Sequence, residues 1–137
     1  MQIEPYLFFE GRCEEALAFY RRALGAEVTS LMRNRESPEP HQPGALPPGS
    51  EDKVLHAVVR IGDTTLMVSD GRCSGQPVFQ GFALTITAPD VARADEMFAA
   101  LAEGGHVQMP LARTFFSPRF GMVTDRFGVL WMIIVMP

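Results

Sequence analysis

The side chains able to do chemistry are few and scattered. Of the three histidines, His56 opens an apolar, β-prone run, His41 sits in a proline-rich stretch and His106 follows Gly104-Gly105. An imidazole can act as a general base or hold a ligand by a hydrogen bond. A histidine that opens a strand can equally be structural, and His41 and His106 are expected at the surface. Arg113 and Arg119 flank Thr114-Phe115-Phe116-Ser117-Pro118, where a guanidinium could grip a carboxylate or phosphate through two parallel bonds or be ordinary surface charge. Tyr6, Phe8, Phe115, Phe116 and Trp131 offer flat apolar faces, and the Trp131 indole N–H needs an acceptor. Asp125, ahead of Arg126-Phe127-Gly128, reads as a turn former. No nucleophile–base pair, catalytic carboxylate pair or glycine-rich phosphate loop is identifiable. Cys13 and Cys73 form no C-x-x-C pair and are expected to be free thiols in a reducing compartment, which points to the cytoplasm.

The elements that must position these residues follow from periodicity. Ile3 to Phe9 reads as a strand, and Cys13 to Leu24 as a helix with Ala16, Phe19, Tyr20, Ala23 and Leu24 on its apolar face, ended by Gly25. Ala26 to Arg33 resumes β character. Residues 34–52 hold Pro38, Pro40, Pro43, Pro47 and Pro48 and show no periodicity, so they form a loop. Val54–Ile61 and Thr64–Ser69 read as a hairpin turned at Gly62-Asp63. Residues 71–80 look like a linker, after which the pattern restarts. Phe82–Thr87 is a strand, Pro89-Asp90 opens a helix carrying Val91, Ala94, Met97, Phe98 and Leu101, and His106–Met109 is a short strand. A loop runs from Pro110 to Pro118, then Gly121–Thr124 and Val129–Met136 form a second hairpin. The order β-α-β-β-β thus occurs twice. A constant offset of 78 residues places Ala16 on Ala94, Phe19 on Met97, Tyr20 on Phe98 and Ala23 on Leu101.

Composition bounds what such a chain can be. The 137 residues are 47% hydrophobic and 20% charged, ordinary for a globular domain with a core of its own. Net charge is −4, and the basic residues, all arginine except Lys53, are dispersed. With no basic stripe, a nucleic-acid partner is not expected. The longest apolar run, from Val129 to Met136, is far short of the roughly 20 residues of a membrane helix. Met1-Gln2-Ile3-Glu4-Pro5 lacks the features of a secretory signal, so no membrane association is expected.

Several segments carry a resemblance. Pro5-Tyr6-Leu7-Phe8-Phe9 before Glu14-Glu15-Ala16-Leu17-Ala18-Phe19-Tyr20, then Leu24-Gly25-Ala26, resembles the vicinal oxygen chelate superfamily of glyoxalase I, extradiol dioxygenases and bleomycin and fosfomycin resistance proteins. His56–Asp63, Leu66–Asp70 and above all Phe120–Ile133, with its Asp-x-Phe-Gly-x-x-Trp core, are similar to the PhnB-like branch, whose members have often been labelled 3-demethylubiquinone 3-methyltransferases. The resemblance covers nearly the whole chain. It implies an α+β fold of two β-α-β-β-β modules, residues 1–70 and 81–137, forming an eight-stranded curled mixed sheet around a cavity, and a homodimer.

The superfamily's enzymes usually hold a divalent metal through His, Glu or Gln on the first and last strands of each module. The matching positions here are Pro5, Met67, Ala83 and Met132, which offer no hard donor, so neither a metal nor any other cofactor is expected. A methyltransferase is also disfavoured, since nothing resembles a glycine-rich nucleotide turn with a downstream acid. The expected ligand-binding set is Tyr6, Phe8, His56, Met67, Phe116, Arg119, Met122 and Trp131, with Trp131 and the methionines lining the cavity and the 113–119 loop closing its mouth. The leading expectation is a protein that binds a small apolar or aromatic molecule. The alternatives are an enzyme of unassigned chemistry using His56 or a loop arginine, and a structural or assembly dimer.

Overall fold

The computed structural model describes residues 1–39, 42 and 44–137, so His41 lies outside the described residues. The chain divides into two compact units, Met1–Pro77 and Val78–Pro137. In unit 1 the elements are β1 (Tyr6–Phe8), α1 (Cys13–Leu24), β2 (Glu27–Arg33), β3 (Val54–Ile61) and β4 (Thr64–Ser69); in unit 2 they are β5 (Leu84–Ala88), α2 (Val91–Ala102), β6 (His106–Ala112), β7 (Arg119–Thr124) and β8 (Leu130–Val135). Each unit has one four-stranded mixed sheet, ordered β1-β4-β3-β2 and β5-β8-β7-β6. In each, the first strand runs parallel to the last and the other neighbours are antiparallel. The twofold β-α-β-β-β order expected from periodicity is the order found.

Both helices form because their apolar residues recur on one face. Ala16, Phe19, Tyr20 and Ala23 are buried in α1, and their counterparts Ala94, Met97, Phe98 and Leu101 are buried in α2. Gly25 closes α1 in the left-handed conformation at φ 69°, its amide bonded to the Arg21 carbonyl. Along the strands, alternation gives each sheet a buried face and an open one. Leu7, Ala57, Val59, Leu66 and Val68 are buried in unit 1, while Val123, Trp131, Ile133 and Val135 are buried in unit 2. Gly121 shares the latter face, where a Cβ would meet the Phe98 ring at 2.9 Å, so α2 lies against β7 there.

Strand ends shift where proline intervenes. β1 begins at Tyr6 rather than Ile3, and Pro5, which has no N–H, contributes only its carbonyl, which accepts from Met67 N at 3.0 Å. β6 runs on through Pro110 to Ala112 because it is an edge strand, where a missing N–H costs no ladder bond, and its register with β7 slips twice. The long loop after β2 is held at its base: Asn34 N donates to the Lys53 carbonyl and Arg35 N to the Glu51 carbonyl, both at 2.9 Å.

Candidate functional site

The open face of unit 1 brings together four of the residues singled out above. Register sets Tyr6 opposite Met67 and Phe8 opposite Ser69, Val58 opposite Met67 and Met32 opposite His56. Opposite residues share a face, so Tyr6, Phe8, Met32, His56, Val58 and Met67 stand on one side of the sheet. Leu7 and Phe9, of the other parity, are 3% and 0% exposed, whereas Tyr6 and Phe8 are 39% and 49% exposed. The Tyr6 and Phe8 rings stack with centroids 4.8 Å apart and planes 23° from parallel. The Tyr6 hydroxyl reaches across β4 to His56 Nδ1 at 2.8 Å, the two rings tilted with centroids 5.5 Å apart.

That hydrogen bond organises the face. Partial burial pushes the Tyr6 phenol above its ordinary value, against a smaller opposing effect of the Ser69 hydroxyl, so the phenol is protonated at neutral pH. A phenol O–H is a better donor than a neutral imidazole N–H, and an imidazole nitrogen the better acceptor. The phenol can donate to Nδ1, an arrangement in which the other ring nitrogen, Nε2, carries the proton. The result is a flat, apolar and sulfur-bearing surface with an imidazole held at its edge by the phenol.

The other expected residues are placed differently. Trp131 is not on an open face: it is 3% exposed, opposite Val123 and of the same parity as Ile133 and Val135. Its N–H finds its acceptor in Asp125 Oδ2 at 2.8 Å. Asp125 also accepts from Phe127 N and Val129 N, so it is a turn former that anchors the indole too. Arg119 begins β7 instead of lying in the loop, and its Nε and Nη2 donate to the Asp95 carboxylate on α2 at 3.0 and 3.3 Å. Its parity directs it to the helix, which takes up the bidentate geometry expected for a ligand. Arg113 remains in the loop, exposed. Phe116, 41% exposed, packs edge-on against Phe115 and Phe120, each with centroids 5.1 Å apart. Met122 does lie on the open face of unit 2, opposite Met109 and Met132.

Two residues of these faces escaped the sequence reading, Met32 and Met109. They are 41% and 45% exposed, and alternation along their strands was the signal available in the sequence. Cys13 is buried and Cys73 half-buried, both free thiols. Among the described residues no three His, Cys, Asp or Glu side chains are gathered where they could hold a metal, and no helix is long and apolar enough to cross a membrane. A separate cleft of about 410 Å³, in the loop of unit 1, is lined by Asn34, Ser37, Gln42, Ser50 and Glu51 among others. Asn34 is already committed there to the Ser50 carbonyl at 2.8 Å.

Two βαβββ units with these open faces define a protein of the vicinal oxygen chelate class. The pattern of the Glyoxalase/Bleomycin resistance protein/Dioxygenase superfamily matches residues 2–133, and the chain belongs to that superfamily, in its PhnB-like branch. It is 39% identical to the protein YjdN of Escherichia coli strain K12 over 98% of this chain and 95% of that one. The crystal structure of protein PA1353 from Pseudomonas aeruginosa shares 39% identity and a TM-score of 0.83, covering 99% and 98% of the two chains. A structure from Bacillus cereus, described as a putative 3-demethylubiquinone-9 3-methyltransferase, PhnB protein, shares 29% identity and a TM-score of 0.80 over 98% and 99%.

Proposed function

We propose that this chain is a metal-independent small-molecule binding protein, and that the open face of unit 1 takes a small apolar or aromatic molecule. The observation that carries this reading is the Tyr6–His56 hydrogen bond on an exposed apolar face. A planar ligand would lie on the Tyr6–Phe8 stack and beside Met67, and accept a hydrogen bond from His56 Nε2 through a carbonyl or phenolic oxygen. Burial of about 150 Å² of apolar surface contributes on the order of 4 kcal/mol before association costs, which by itself corresponds to about millimolar affinity.

The superfamily's metal does not fit the residues at its positions. Pro5 and Ala83 precede β1 and β5, and the residues set opposite Met67 and Met132 are Tyr6 and Thr85. A phenol, a hydroxyl and two thioethers supply neither imidazole nor carboxylate, so a hard divalent cation lacks its usual ligands. The methyltransferase description of the Bacillus cereus protein is not carried over either. A nucleoside cofactor is ordinarily held at the edge of a parallel sheet after a glycine-rich strand-to-helix turn, whereas each sheet here is mixed, with one parallel pair. An enzymatic reading would need His56 as a base, and a proton on Nε2 disfavours it. The chain is further proposed to act as a homodimer in a reducing, cytoplasmic setting; a monomer mass by light scattering at tens of micromolar would overturn the dimer.

The test is calorimetric titration with a panel of phenols, quinones and simple aromatics, alongside ¹⁵N spectra of His56. Binding of at least one planar acceptor at about millimolar strength is expected, with His56→Ala weakening it about tenfold, the worth of one lost hydrogen bond. Spectra should show Nε2 protonated. A panel without a binder, or an affinity indifferent to His56→Ala, would end the reading; a proton on Nδ1 would favour the enzyme instead.

A further inference from the structure

The open face of unit 2 carries a different device. Met109 on β6 lies opposite Met122 on β7, and Met122 opposite Met132 on β8. Opposite residues share a face with Cβ atoms about 4.5–5.5 Å apart, so three thioethers form one row across three adjacent strands. The fourth strand completes the row with Thr85, opposite Met132, whose hydroxyl lies 3.9 Å from the Met132 sulfur. These are not core methionines. Met97 on α2 is 5% exposed, whereas Met109 is 45% exposed and Met122 and Met132 are intermediate.

We propose that Met109, Met122 and Met132 form a binding site for a soft monovalent cation of the Cu(I) or Ag(I) kind. Thioether sulfur is neutral, polarisable and soft, a donor that selects Cu(I) over Zn²⁺, Mg²⁺ or Ca²⁺. The four strands place no carboxylate on this face, and the single ionisable side chain their register sets there is His106, opposite Thr124. A hard cation therefore has nothing to bind. Strands lie about 4.8 Å apart, so the outer two sulfurs need to lean inward by roughly half that distance to meet one ion above Met122, within the range of three rotatable bonds. A thioether loses no proton on binding, so affinity does not fall in mild acid as it does for imidazole or thiolate sites.

The experiment uses the full chain carrying Cys73→Ser, which removes the half-buried thiol, with its eight methionines labelled at the methyl carbon. Silver nitrate is titrated in chloride-free buffer at pH 7 and at pH 5. Three methyl resonances should move together, saturate at one equivalent and do so equally at both pH values, and Met122→Leu should weaken binding at least tenfold. Leucine conserves volume there; Met109→Leu, at an exposed edge position, gives the same reading should Met122→Leu fail to fold. Shifts spread over Met1, Met32, Met67 and Met136 without saturation, binding untouched by either variant, or affinity lost at pH 5 would each overturn the site.

Discussion

The two units repeat one architecture and diverge in what their side chains do with it. Unit 1 presents a stacked aromatic pair and a phenol-held imidazole on its open face; unit 2 presents a row of thioethers beside threonines. They also start their helices by different means. Asp90 caps α2 locally, accepting from Arg93 N at 2.7 Å. Arg12, at the same position of α1, makes no side-chain cap. Its work is done by Asp70, 1% exposed and from the end of β4, which takes Gly11 N and Cys13 N on one oxygen and Val54 N, at 2.6 Å, on the other. The two units share the apolar spacing that builds them, while their polar fittings differ. A local cap joins neighbours; the Asp70 carboxylate joins three elements at once.

The largest expected effect tests that contrast. Asp70→Ala leaves three amides without their acceptor, two of them in buried bonds, at about 1–3 kcal/mol for each buried unsatisfied group. A loss of about 4 kcal/mol, or a fall in Tm of about 15 °C, should appear in thermal unfolding. Asp90→Ala removes a single cap and should cost about 1 kcal/mol. Equal losses would mean that the Asp70 junction is no more than a cap.

Alkaline pH offers a second way to set the units apart, because both thiols lie in unit 1. Burial, then the Asp70 and Glu14 carboxylates, push the Cys13 thiol well above its ordinary value of 9.0. Below that value both folded and unfolded chains hold the proton and the full stability is present. Above it the unfolded chain ionises while the folded one does not, so stability falls by about 1.4 kcal/mol per pH unit for this group. Tyr6 and Cys73 are raised too, so the measurement is the difference between the native chain and Cys13→Ala in denaturant unfolding from pH 8 to 11. Parallel curves would show that Cys13 does not titrate this way.

Much of the fold was readable in the sequence because it rests on period. β3 and β4 span the residues that alternation marks out, and α1 the residues that helical spacing and Gly25 mark out. What could not be read was direction and partnership. Trp131 and Arg119 have the right chemistry for a site, but parity in β8 and β7 turns both to the helix side, where Asp125 and Asp95 wait. Those acceptors lie six residues away in one case and on another element in the other. Nothing in local composition ties Tyr6 to His56, fifty residues apart; only the β1-β4-β3 order of the sheet does. Chemistry carried by a single residue type was legible, and chemistry made by pairing was not.

The smallest effect concerns the ion pairs that tie helix to sheet in each unit, Glu14 with Arg33 in unit 1 and Asp95 with Arg119 in unit 2. The Arg33 guanidinium, hydrogen-bonded to Glu14, holds that carboxyl below its ordinary value of 4.5, with slight burial opposing. A depressed acid contributes stability that is present above the ordinary value and disappears as pH falls through the lower folded one. The Glu14 side chain is 59% exposed, so solvent screens the pair and its contribution is small. Glu14→Gln should therefore lower Tm by about 2 °C or less at pH 7 and by nothing once both native and variant chains are below pH 3. Arg33 also donates to the Asp52 carbonyl at 2.7 Å, at the base of the long loop, a bond that Glu14→Gln leaves in place. A larger loss at pH 7 for Glu14→Gln than for Asp95→Asn would show that the unit 1 pair supports the loop base as well as the helix, and salt added to about 1 M would then shrink only the part that is ionic.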